Sequence, residues 1–158
     1  MQFLIQSSVR LDGYERRLIR EALSPFRVLT EHGLDFAASP HSTTNEDFTK
    51  TLARIQNGMT IMHLKQAHDC LLDLGIALTN DSLHWDREAS IAPVEAPKGS
   101  LILKPREACR ILAETRRHQA AMCERALEVV RNGMRALKPL HEAARNLVRR
   151  AETLLDTP

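Results

Sequence analysis

The chain predicts an all-α fold: a helical bundle of about four helices, dominated by two long antiparallel ones, with a short N-terminal arm or strand. Three observations carry this. The last third keeps an unbroken heptad, with Ala120, Cys123, Leu127, Val130, Met134, Leu137, His141, Ala144, Val148, Ala151 and Leu155 at its a and d positions. Ala126, Leu140, Leu147 and Leu154 fall at g and widen the stripe to the face that a bundle helix buries. A second apolar stripe at three- and four-residue spacing runs from Phe48 to Leu78. Aromatic residues are scarce and end at Trp85, so the C-terminal core must be Leu, Val, Ala and Met, which favours helices over sheets. A chain of 158 residues supports one sizeable core, so residues 1–158 are read as one domain.

Residues 1–44 supply the N-terminal arm and short helices. Residues 1–8 alternate weakly, as an extended arm does. A first helix starts near Asp12 and runs through Tyr14, Leu18, Ile19 and Ala22. Ser24-Pro25 then reads as a restart, with Ser as cap and Pro in the first helical position. Gly33 ends that segment as a left-handed cap, and residues 34–42 form a loop. Thr43 and Glu46 have the spacing of a capping box, and Asp47 adds favourable charge to the helix start.

From there residues 45–78 predict one long helix. Phe48, Leu52, Ile55, Met59 and Met62 share a face, which then rotates near Ile61 to Leu64, Ala67, Leu71, Leu74 and Leu78. Asn57-Gly58 interrupts the propensity but not the apolar phase. Residues 79–104 lose the period and contain Pro93, Pro97 and Gly99, so they read as a Pro-containing linker. Within it Leu101-Ile102-Leu103 has the character of a short strand to pair with Phe3-Leu4-Ile5. Pro105 opens the last helix, 105–156, whose heptad continues in phase past Gly133 and Pro139. Glu107, Glu114, Glu128 and Glu142 lie three residues before Arg110, Arg117, Arg131 and Arg145, a spacing for pairs along one flank.

Composition narrows the function classes. The net charge is +2, but from Lys104 onward there are 12 basic against 7 acidic residues, leaving the first 103 residues with 10 against 13. Cys70, Cys109 and Cys123 are odd in number and far apart, which suits free thiols in a reducing compartment. No run reaches the length of a membrane span, and Met1 to Ile5 lack the form of a signal segment. A cytoplasmic protein is expected, and the excess of Arg over Lys suits a GC-rich bacterial genome. The six glycines are isolated, so no phosphate loop is present, and no His, Cys, Asp and Glu spacing suggests a metal; no cofactor is expected.

The expected function is that of a non-enzymatic helical interaction protein: an adaptor, assembly factor, chaperone or regulatory subunit. Its binding surface would be the heptad residues Leu137, Leu140, Ala144, Leu147, Val148, Leu154 and Leu155, and its partner another protein or a second copy. Arg131, Arg135, Arg145, Arg149 and Arg150 form a basic cluster that would serve an alternative role as a nucleic-acid-binding accessory factor. Interleaved glutamates and the lack of aromatic stacking groups weigh against that role.

Two short motifs resemble catalytic families. Met62-His63-Leu64-Lys65-Gln66 resembles the histidine-phosphotransfer box, in which an exposed His accepts a phosphoryl group; here Lys65 follows at two residues rather than three. Arg135 and His141 have an Arg-x5-His spacing similar to that of the HEPN ribonucleases, which are all-helical and usually dimeric. That resemblance implies Arg135 as a stabiliser of the transition state and His141 as general acid or base. The residue after the Arg, commonly polar in that family, is Ala136 here. The heptad also sets His141 in the seam and Arg135 on another flank, so a core histidine is the plainer expectation.

Overall fold

A computed structural model of the protein describes residues 8–31, 44–95, 98–99 and 104–157. Four helices pack against one another beside a two-stranded antiparallel sheet. In chain order the elements are β1 (Ser8–Val9), α1 (Gly13–Glu31), α2 (Asn45–Asn57), β2 (Met59–Thr60), α3 (Ile61–Ile91) and α4 (Pro105–Asp156). The two long helices run antiparallel: a Cβ on Gly133 would lie 3.3 Å from Leu64, one on Gly75 would lie 3.6 Å from Cys123, and Arg116 reaches Asp81.

α1 is a single helix that passes through Pro25, not two segments meeting at Ser24-Pro25. An interior proline removes one hydrogen bond and crowds the preceding turn, at a cost of about 3 kcal/mol. Ile19, Ala22, Leu23, Phe26 and Leu29 nevertheless keep one buried face across it. Burying Phe26 and Leu29 is worth roughly 1.5–3 kcal/mol each, which offsets the proline. Phe26 also stacks on Phe48 of α2, ring centroids 5.5 Å apart.

The helix read over 45–78 is broken. α2 ends at Asn57, Gly58 takes φ +88°, and β2 crosses before α3 starts at Ile61. That backbone conformation is open to glycine at little cost and strained for other residues. It turns Met59 and Thr60 into register with β1, pairing Ser8 with Thr60 and Val9 with Met59. The rotation of the apolar face near Ile61 is therefore the start of a new helix. Met59 is fully buried from its strand, which mimics a continuing stripe, whereas Met62 is exposed.

Both helix starts are capped. At α2 the box is Thr44 with Asp47, one residue along from the Thr43–Glu46 spacing: the Thr44 N–H donates to Asp47 Oδ2 at 3.1 Å, and the Asp47 N–H to Thr44 Oγ1 at 3.3 Å. At α3 Thr60 is the cap and His63 the third helical residue.

The linker read over 79–104 is half helix. α3 continues to Ile91 because Leu78, Ser82 and Ala89 hold the buried face, with Trp85 half-buried between them. Ser and Ala are weak apolar signals, so the period is hard to see in the sequence. Pro93 stops the helix by pushing Ala92 to ψ 145°. The chain returns with the Arg106 N–H and guanidinium donating to the carbonyls of Pro93 and Ala92, each at 3.2 Å. Pro105 opens α4, which runs unbroken through Gly133 and Pro139. Gly33, the loop 34–42 and the pairing of residues 3–5 with 101–103 lie outside the described residues.

One core joins these elements: Leu23 and Phe26 from α1, Ile55 from α2, Met59 from β2, Leu64, Leu71, Leu74 and Leu78 from α3, and Cys123, Leu127, Val130 and Leu137 from α4.

Candidate functional site

Helix length sets the first candidate surface. α4 has 52 residues and α3 has 31, so α4 must outrun its antiparallel partner. The last buried residue of α4 is Leu137, and from Lys138 to Asp156 every side chain is exposed or half-exposed. At 1.5 Å per residue this overhang is about 28 Å long. Of the heptad residues expected to bind, Leu137 is buried in the molecule's own core, and Ala144 is half-exposed. Leu140, Leu147, Val148, Leu154 and Leu155 are exposed.

A second candidate lies where α3 begins. An open cleft of about 710 Å³ is bordered by Ile61, Lys65 and His68 from α3 and by Arg131, Met134, Arg135, Lys138, His141, Glu142 and Arg145 from α4. It shares Arg131 and Arg135 with a groove of about 900 Å³ that continues along the same two helices past Leu72, Gly75 and Ile76. Residues 131, 135, 138, 142, 145 and 149 alternate four- and three-residue steps, which places them on one face of α4.

The cleft collects Arg131, Arg135 and Arg145 from the basic cluster and leaves Arg149 and Arg150 on the overhang. Although on different flanks of α4, Arg135 and His141 border the same cleft. The Arg135 guanidinium donates to the Asn132 side-chain oxygen, and His141 is half-buried. Lys138 lies on the same face of α4 as Arg131, Arg135 and Arg145, whereas Lys65 and His68 complete the site from α3, and the antiparallel register that brings α3 to this part of α4 is a tertiary fact.

The expected Glu–Arg pairs along α4 do not form ion pairs among the described residues. α4 instead pairs with α3: Arg116 Nε meets Asp81 Oδ2 at 2.8 Å and Arg117 meets Asp86 at 2.7 Å. The side chains of Arg116 and Asp81 are only 16% and 10% exposed, so that pair is well shielded.

His63 is a structural group. Its Nδ1 accepts the Thr60 N–H at 3.5 Å, while its own N–H donates to Thr60 Oγ1 at 3.4 Å. Burial, then the nearby Arg54 charge, lower its pKa below the ordinary histidine value. A half-buried imidazole whose Nδ1 caps a helix does not match the exposed phosphoacceptor of the phosphotransfer box. The two buried thiols are equally quiet: burial pushes Cys70 up to about 11 and Cys123 up to about 12, and the Cys123 thiol donates to the Ala22 carbonyl at 3.5 Å. Thiolates are the reactive form, so neither is a nucleophile at neutral pH.

Among the described residues no three His, Cys, Asp or Glu groups are placed to hold a metal, and no helix is long and apolar enough to cross a membrane. Compared with known proteins, the chain matches no family model, no curated protein and no solved structure.

Proposed function

We propose that the protein is a non-enzymatic helical interaction module that self-associates through residues 138–156 of α4. The observation that carries this reading is the phase of the overhang. Ala144, Val148, Ala151 and Leu155 continue the stripe that Val130 and Leu137 bury inside the bundle, with no described residue covering them. A second copy is the natural occupant because the stripe is self-complementary: two overhangs laid antiparallel about a two-fold axis bury Leu140, Leu147 and Leu154 against each other. The segment holds four Lys or Arg against three Asp or Glu, so no strong repulsion opposes the pairing. The resulting contact is a short coiled coil that extends the packing already present between α3 and α4. Three unbridged thiols suit the reducing cytoplasm for such a module.

Light scattering across a concentration series tests the reading. Wild type is expected to be a dimer, and Leu147→Glu and Leu154→Glu are expected to be folded monomers. A wild-type monomer at high concentration overturns self-association. RNA cleavage without metal, lost in both Arg135→Ala and His141→Ala while their folds persist, would replace the module with a HEPN-like ribonuclease.

A further inference from the structure

We propose that the cleft between the first turns of α3 and the middle of α4 binds the phosphodiester backbone of a nucleic acid without regard to sequence. The inference stands apart from self-association, since it rests on the basic face of α4 and not on its leucines.

Lys65, Arg131, Arg135, Lys138 and Arg145 place five fixed positive charges around a cleft of about 710 Å³, and among the described residues Glu142 is the one carboxylate that lines it. Several cations outside the cleft are neutralised. Arg17, Arg27 and Lys50 pair with carboxylates four residues away, and Arg116 and Arg117 pair across to α3. Among the described residues none of the five cleft cations makes an ion pair, and Arg135 meets only the neutral Asn132 amide. All five are exposed, so they keep their charge in water. Converging unpaired cations repel one another, and a bound polyanion relieves that repulsion.

The shape selects among anions. The basic face runs on from the cleft to Arg149, so that from Arg131 it spans about 27 Å. That exceeds a mononucleotide and suits an extended polymer. Arginine forks match phosphate oxygens in pairs. Among the described residues no aromatic side chain borders the cleft, so bases gain no stacking platform there and recognition rests on the backbone.

The test compares two triple variants of the full chain, each shifting the formal net charge from +2 to −1. One is Lys65→Gln, Arg131→Gln, Lys138→Gln in the cleft; the other is Arg17→Gln, Arg20→Gln, Arg27→Gln on α1. Fluorescence anisotropy is read with labelled poly(U) and a DNA duplex of about 20 nucleotides, and with polyglutamate as competitor, over a range of salt. The cleft variant is expected to lose affinity on the order of tenfold at low salt, and its salt dependence on poly(U) to become shallower by about 2 in log–log slope. The α1 variant is expected to bind nearly as wild type.

No wild-type binding at low salt overturns the proposal. So does an equal loss in both variants, which would mean net charge alone, or competition by polyglutamate as effective as that by unlabelled RNA, which would mean an acidic protein partner. Should the cleft triple variant fail to fold, Arg145→Gln on the free overhang decides alone: unchanged affinity and slope overturn the site. Leu147→Glu is expected to leave the slope unchanged, which separates this site from the dimer contact.

Discussion

The two halves of α4 share one heptad and live in different surroundings. Val130 and Leu137 are 0% and 4% exposed, whereas Val148 and Leu155, on the same stripe, are 56% and 85% exposed. Nothing in residue type or spacing separates them. What differs is the length of the neighbour: α3 supplies Leu64 opposite Gly133 and begins only three residues earlier, at Ile61. An apolar period therefore states which surface a helix is able to bury. Whether it is buried in the same molecule depends on how far the partner helix reaches.

The largest contrast should come from truncating leucines on either side of that boundary. Leu127→Ala and Leu137→Ala are expected to cost about 2–4 kcal/mol in urea denaturation, because each leaves a cavity in a closed core. Leu147→Ala and Leu154→Ala, at protein concentrations too dilute for association, are expected to stay within about 0.5 kcal/mol of wild type. Equal losses in both halves would mean that the overhang is covered within one chain.

A smaller contrast lies in the ion pairs that tie α4 to α3. Asp81→Ala leaves the shielded Arg116 without its carboxylate, at an expected cost of about 1–3 kcal/mol. Asp86→Ala, on a half-exposed pair, is expected to cost less than about 1 kcal/mol. Denaturation of the two variants in parallel checks the ranking.

The two glycines at the helix crossing differ in the room around them. An added Cβ at Gly75 would sit 3.6 Å from Cys123, an ordinary contact, so Gly75→Ala is expected to gain roughly 0.5–1 kcal/mol from helix propensity. At Gly133 the Cβ would lie 3.3 Å from Leu64, whose methyl must yield, so Gly133→Ala is expected to be close to neutral. A melting temperature that rises equally for both would show that Leu64 moves freely.

The smallest effects separate the two helix caps by pH. His63 has a lowered pKa, so the unfolded chain takes up its proton first as pH falls. Its contribution is present above about 6.5, the unfolded value, and is lost as pH falls through the lower folded one. Asp47 also has a lowered pKa, from the Thr44 N–H and then the Thr44 hydroxyl, so its contribution persists to a lower pH and goes only below about 3.9. Stability of wild type and His63→Gln measured between pH 7 and 5 should show a shallow slope in the first that is missing in the second.

Much of the bundle is legible in the residues, and the departures from it share a cause. The heptad located α4 and Pro105 its start. Pro25 and Gly58 depart from their local signals in opposite directions. At Pro25 the burial of Phe26 and Leu29 kept a helix going through a residue that disfavours it. At Gly58 the pairing of Met59 and Thr60 with β1 ended a helix whose apolar phase looked continuous. Ser82 and Ala89 hide the last three to four turns of α3, about 3.6 residues to the turn, because small residues at a close contact carry little apolar signal. Of the cleft, Arg131, Arg135 and Arg145 are legible as a basic cluster on one helix, while the approach of Lys65 and His68 to them is not.

Local chemistry was enough to set the helices and their faces, because side-chain period, caps and proline act within a few residues of chain. The register of α3 on α4 was not available from it. Register follows from the summed packing of distant surfaces, here the fit of Leu64 on Gly133 and of Cys123 on Gly75. That register alone leaves the last turns of α4 uncovered by α3, draws Asp81 and Asp86 to Arg116 and Arg117, and brings Lys65 to three arginines that make no ion pair among the described residues.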